Sequence, residues 1–191
     1  MIKILNCKNK NYKNKLIEFL EIRRSRKSTN TSIVSKILKD IKKNKLKAVI
    51  KYEKRFSKNR KVNATKEEIN ISIKKLDPKI KKAIDFAYSR IFKFHSFQKP
   101  KDIKYIDKYK NKIDYRNVPL QSVGVYVPAN LPSTLLMCCI PAQISKVKKI
   151  VVANPRINGK LNPAVMYAAK KCGVSYIITC GGAQAIGNLA Y

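Results

Sequence analysis

Residues 123–191 read VGVYVPANLPSTLLMCCIPAQISKVKKIVVANPRINGKLNPAVMYAAKKCGVSYIITCGGAQAIGNLAY, and this stretch decides the fold. Three short runs within it, residues 123–127, 150–153 and 176–179, are apolar and rich in β-branched side chains. Such runs suit strands buried on both faces. Between them, residues 133–144 and 163–172 have helical spacing, with Leu136, Ile140 and Ile144 forming the first apolar stripe. Strands alternating with helix-length segments predict a parallel βαβαβ sheet covered by helices.

The punctuation agrees. Ser133 and Thr134 follow Pro132 and are expected to cap the first helix. Asn162 before Pro163 is an N-cap followed by a proline at the first helical position. Gly173 follows Lys170 and Lys171, a stop signal with cations set against the helix dipole. The last strand runs into Gly181-Gly182-Ala183-Gln184, which opens another apolar segment. Glycines there let backbone approach a ligand closely, and a helix start offers N–H groups to an anion such as a pyrophosphate. The dinucleotide fingerprint G-x-G-x-x-G and the P-loop are both absent. By residues alone, residues 121–191 are an incomplete Rossmann-like half-domain with a candidate phosphate site.

Upstream, the chain reads as mostly helical. Ile33, Val34, Ile37, Leu38 and Ile41 recur at helical spacing behind Thr31 or Ser32 as cap. A second helical segment covers residues 46–56. Thr65-Lys66-Glu67-Glu68 is a capping box for a helix through Ile69 and Ile73 to Leu76. Asp77-Pro78 starts another, with Ile80, Ile84, Ala87, Ile91 and His95 on one face. His95 is the only histidine, and no carboxylate or nucleophile is fixed beside it by spacing, so it is read as packing. Phe86, Tyr88, Phe92, Phe94 and Phe97 fall on several faces and are expected in core or interface. Residues 101–115 alternate polar and apolar side chains and predict a strand pair or extended connection. The organisation expected is an arm over residues 1–30, with a β-like start, a helix at residues 16–22 and a polar linker. A helical module over residues 31–120 and the half-domain over 121–191 follow.

Composition sets the outer bounds. The chain has 191 residues, 45% hydrophobic, enough for a packed core. No apolar run is long enough to span a bilayer and none resembles a secretory signal, so a cytoplasmic protein without membrane partners is expected. Five cysteines at Cys7, Cys138, Cys139, Cys172 and Cys180, with no C-x-x-C, read as buried free thiols. One histidine leaves no His/Cys zinc cluster to assemble. The net charge of +32 raises a nucleic-acid role, or a non-catalytic basic nucleotide-binding module, as the alternative reading. The lysines are scattered through every segment and arginines are few, which favours a compositional bias and salt-sensitive sticking to polyanions over specific nucleic-acid binding.

Several stretches resemble histidinol dehydrogenase. They are GVYVP, PSTLLM, IPAQISKVKKIVV and AAKKCGVSYIITCGGAQAIGNLAY, preceded by VSKILKDIKKNKLKAVIKYEKRF and LDPKIKKAIDFAYSRIFKFHSFQ. The similarity covers roughly residues 30 to 191, and Gly-Gly-Ala-Gln-Ala-Ile is its most specific part. The resemblance implies NAD-dependent oxidation of L-histidinol, through the aldehyde, to L-histidine by a zinc-containing homodimer. It also implies two cofactor contacts: Tyr126, matching the family's Tyr-x-Pro tyrosine, and Gln184, matching the glutamine of Gly-Gly-Ala-Gln. A hydroxyl at a strand's C-terminal end and an amide on a helix's first turn both lie where open α/β sheets bind ligands.

The family's glutamate–histidine pair and zinc ligands have no counterpart here, and residues 121–191 hold no Asp or Glu. This polypeptide alone is therefore expected to be an inactive N-terminal portion, with no catalytic or metal residue to assign. The family's Gly-Gly pair after Tyr-x-Pro is also missing. The shorter loop Pro128-Ala129-Asn130-Leu131-Pro132-Ser133 is expected to alter the nucleotide pocket.

Overall fold

The computed structural model describes residues 5–25 and 31–191, with backbone only at 22–25 and 31. The expected β-like start and residues 26–30 of the polar linker lie outside the described residues, and the linker's remaining residues, 23–25 and 31–32, are helical instead. The chain divides into two compact units, Met1–Lys36 and Ile37–Tyr191. The first contains α1 (Tyr12–Ser25), a helix longer at both ends than the one expected. Its Leu16, Ile17, Phe19 and Leu20 are exposed.

The second unit holds the rest of α2 (Thr31–Ser57), then α3 (Lys66–Lys74) and α4 (Pro78–Ser96). The hairpin β1 (Ile103–Ile106) and β2 (Lys112–Tyr115) follows. The remainder is β3 (Ser122–Tyr126), α5 (Pro132–Ile144), β4 (Lys149–Ala153), α6 (Pro163–Lys171), β5 (Tyr176–Ile178) and α7 (Gly182–Ala190). Strands β3, β4 and β5 pair in that order, all parallel. The expected βαβαβ unit is what forms. Beyond β5 the chain adds a short antiparallel edge that periodicity did not reveal. Asn63 bridges Ile178, Thr179 donates its N–H to the Val62 carbonyl at 2.7 Å, and Ala64 donates to Ile177 at 3.2 Å.

Alternation along the strands separates two cores. Val125, Val127, Ile150, Val152 and Ile177 pack with Leu135, Leu136, Cys139, Ile140, Val165, Met166 and Ile84 from α5, α6 and α4. Val151, Ala153 and Ile178 belong with Ile37, Ile41, Ala48, Val49 and Tyr52 of α2 and Ala185 of α7. Helices and strands on either side of residue 120 thus share both cores. Gly124 and Gly187 permit close approach on the second face. A Cβ on Gly124 would lie 3.0 Å from Leu189, and one on Gly187 would lie 3.0 Å from Ile41.

The local signals mostly hold. Thr65 and Glu68 form the capping box, Asp77 caps α4 at Lys79 N, and Asn162 Oδ1 accepts from Ala164 and Val165. Gly173 ends α6 at φ 64°. The two helical segments expected either side of residue 45 are joined in α2 across a kink at Lys45 (φ 49°, ψ −133°). Asp40 pins the kink by accepting from Asn44, Lys51 and Tyr52.

Several expectations fail. Ser133 and Thr134 do not cap α5: Pro132 already occupies the first turn, and Leu131 stands at the cap without a side-chain bond. Ile80 is exposed, whereas Ile84, Ala87 and Ile91 of the same stripe meet the core. Of the aromatic run, Phe86, Phe92, Phe94 and Phe97 are exposed and take no part in the core, whereas Tyr88 packs against it with its hydroxyl bonded to Gln143. The hairpin forms as expected, yet all eight residues of its strands are exposed. Cys139, Cys172 and Cys180 are buried thiols, whereas Cys7 and Cys138 are exposed. Cys138 shares the solvent side of α5 with exposed Met137, between core positions 136 and 139.

Candidate site at the carboxyl edge of the sheet

The three parallel strands end together at a row of loops: residues 127–131, 154–156 and 179–182. Open parallel sheets bind ligands at this edge. Asn154, fully buried after β4, donates Nδ2 to the carbonyls of Val127 at 3.1 Å and Pro128 at 3.2 Å. Its Oδ1 has no partner. The loop after β3 closes through Leu131 N–H to Pro128 O, and Asn162 Nδ2 ties it down at Asn130 Oδ1. Neither Ala129 nor Asn130 has a positive φ. The short loop is therefore made without the conformation that would have required the family's glycines.

Tyr126, at the last position of β3, is 37% exposed. Its hydroxyl lies 3.8 Å from the point a Cβ on Gly181 would occupy, so the ring stands over the turn that begins α7. Pro155 also crowds Gly181, its Cβ 3.2 Å from that point, so a side chain there would have to push the proline back. Gly182 has φ +59°, the left-handed region that favours glycine. The structure thus gathers Tyr126 and the glycine turn at one place.

Gln184 is where the expectation changes. It is 3% exposed and its Nε2 donates to Glu53 Oε2 at 2.9 Å. The same oxygen accepts the Gly181 N–H at 3.4 Å. No hydrogen bond joins Gln184 to Tyr126 among the described residues. The N–H groups of the helix start, read from sequence as open to an anion, are in part directed at a protein carboxylate. Glu53 itself is fully buried on α2. Sequence reasoning missed it, although one signal was available: Glu53 lies one turn after Val49, on the face that buries Ala48, Val49 and Tyr52. A charge on an apolar stripe calls for a partner. Burial pushes the Cys180 thiol up to about 12, and the Glu53 carboxylate adds to that push.

Other polar groups at the edge are structural. Thr179 Oγ1 donates to the Lys61 carbonyl at 2.6 Å. Arg156, its side chain 6% exposed, bonds Glu68 at 3.0 Å and the Asn63 carbonyl at 3.2 Å. His95 is half-buried, 2.6 Å from Gln98, away from this edge. Among the described residues no three His, Cys, Asp or Glu side chains gather as a metal would need. The residues here do not fit zinc. No helix among them is long and apolar enough to cross a membrane.

A parallel βαβαβ sheet with a glycine turn at its carboxyl edge places the chain among mixed α/β proteins of Rossmann-like build. The comparisons with known proteins narrow this. The family profile of histidinol dehydrogenase matches residues 21–191. The histidinol dehydrogenase of Pelagibacter ubique is 51% identical over 194 residues, covering 100% of this chain and 45% of that protein. That of Idiomarina loihiensis is 42% identical, covering 83% of this chain and 37% of its own length. The crystal structure of histidinol dehydrogenase from Elizabethkingia anophelis superposes with a TM-score of 0.79 at 33% identity, over 85% of this chain and 39% of that one. The chain belongs to the histidinol dehydrogenase family, and it spans less than half the length of these relatives.

Proposed function

We propose that this chain supplies the cofactor-binding edge of a histidinol dehydrogenase. The reaction is oxidation of L-histidinol, through L-histidinal, to L-histidine with NAD as hydride acceptor. The observation that supports it is the meeting of Tyr126 with the Gly181-Gly182 turn at the end of the parallel strands. In this reading residues 121–191 are the nucleotide half of a domain whose other half lies in the sequence that longer relatives carry. Tyr126 offers its hydroxyl, Gly182 lets the backbone come close, and Gln184 contributes its amide from the first turn of α7. These residues bind and orient; none is placed to take a proton from an alcohol.

The zinc, acid–base pair and homodimer implied by the family belong, in this proposal, to the sequence outside these residues. The 191-residue chain alone therefore forms no NADH from L-histidinol, and its home is the cytoplasm. The +32 charge enters only as a general affinity for polyanions that modest salt removes. Calorimetric titration with NAD tests the reading. The chain binds, and Tyr126→Phe and Gln184→Ala each weaken binding by about tenfold. Unchanged affinity in both variants, or NADH production by the chain alone, would overturn it.

A further inference from the structure

Helix α7 begins without a cap of its own, since Gly181 has no side chain to offer its N–H groups. A carboxylate from across the core stands in. Glu53 Oε2 accepts both the Gly181 N–H and Gln184 Nε2, joining residues 128 and 131 positions apart in sequence. The bond also fixes which way the Gln184 amide faces. Glu53 Oε2 is an acceptor, so it takes the nitrogen end and turns the oxygen away. Gln184 Oε1 then lies 3.0 Å from the point a Cβ on Gly182 would occupy, on the glycine side of the turn. It accepts no hydrogen bond among the described residues, and it is not one of the oxygens sealed without a partner, which are Glu53 Oε1 and Asn154 Oδ1.

We infer that Glu53 is the positioning residue of the glycine turn. It holds the start of α7 and orients Gln184 so that the amide oxygen receives a hydroxyl of the ligand, as on a ribose, in preference to a phosphate oxygen. An acceptor attracts a hydroxyl and repels a phosphate oxygen, which is itself an acceptor. Glu53 touches no ligand in this account and acts through Gly181 and Gln184. The inference rests on the cofactor reading above, and its test separates the two.

Three variants serve. Glu53→Gln keeps an accepting oxygen, Glu53→Asp withdraws it by one methylene, and Glu53→Leu fills the space without it. Hydrogen exchange by NMR is the first readout. The Gly181 backbone and Gln184 side-chain amides exchange at least about tenfold faster in Glu53→Leu, less so in Glu53→Asp, and near wild type in Glu53→Gln. The β4 amides stay protected throughout. NAD affinity of the folded protein follows the same order, falling about tenfold in Glu53→Leu and holding within about threefold in Glu53→Gln. If Glu53→Leu fails to fold, the Glu53→Asp and Glu53→Gln pair carries the comparison.

The hydroxyl claim is read from the Gln184 side-chain amide signal. Adenosine at millimolar concentration shifts it, while the dideoxy counterpart and inorganic pyrophosphate do not. Unchanged exchange at Gly181 and Gln184 in the folded variants overturns the inference. So does a shift produced by pyrophosphate rather than adenosine, or a lower Tm with unaltered NAD affinity. Failure of the wild-type chain to bind NAD, with exchange changed as expected, overturns the cofactor reading and leaves Glu53 assigned to the turn.

Discussion

The two faces of the three-stranded sheet are built from different chemistry. Toward α5 and α6 the centre of the core is apolar, with Val125, Val127, Ile150 and Val152 meeting Leu135, Leu136, Ile140, Val165 and Met166, and the part-buried polar pairs Tyr88–Gln143 and Tyr167–Asp85 lie around it. Toward α2 and α7 the packing includes a buried carboxylate and a buried amide, Glu53 and Gln184, bonded at 2.9 Å. The first face mainly excludes water. The second also holds a turn in place, and a fixed carboxylate and amide do that with directional bonds that hydrophobic contact lacks. The candidate site sits over the second kind.

Breaking the dry face has the largest expected effect. Leu136→Ala removes a side chain fully enclosed by that core and should lower unfolding free energy by about 2–5 kcal/mol, read by denaturant titration. Where the protein remains folded, NAD affinity should be unchanged, because the carboxyl-edge contacts are untouched. Loss of binding in step with stability would erase the distinction between the faces. A smaller loss is expected from Asn162→Ala, which takes two accepted N–H bonds from the start of α6. About 1 kcal/mol is the expected drop, with no change at α7.

Acid sharpens the comparison more gently. On the α2 side, hydrogen bonds from Asn44, Lys51 and Tyr52 lower the Asp40 carboxyl to about 2. On the other side, Lys171 at 2.6 Å and then Tyr167 hold Asp85 below its ordinary value. Both groups are depressed on folding. Their stabilisation is therefore complete above the unfolded value of about 4 and is lost as pH falls through the folded values. Tm should decline as pH drops from about 4 toward 2, and Asp40→Asn or Asp85→Asn should each flatten that decline. A profile unchanged by both substitutions would show that neither pair couples to folding.

What the sequence disclosed follows the same division. The β-branched runs, the stripe of Leu136 and Ile140, and the caps at Thr65, Asp77 and Asn162 are local patterns, and the structure has them. Tyr126 and Gln184 could be placed at the carboxyl edge for the same reason. The bond from Gln184 to Glu53 spans 131 positions, and no window of periodicity contains both residues. The antiparallel edge at Asn63 is equally remote from its partner Ile178. The cap of α5 was misread because Pro132 draws the helix start one residue earlier than the hydroxyls suggest. Which aromatic residues of α4 enter the core was not legible, because exposure depends on what lies opposite, which helical spacing does not state.

The most direct test of the account is a map of NAD on the chain by NMR amide shifts. NAD is expected to shift the amides of residues 126–130, 154–156 and 181–184. Shifts gathered instead in the groove of about 670 Å³ lined by Asn63, Thr65, Lys66, Asn70, Lys170 and Tyr176 would contradict it.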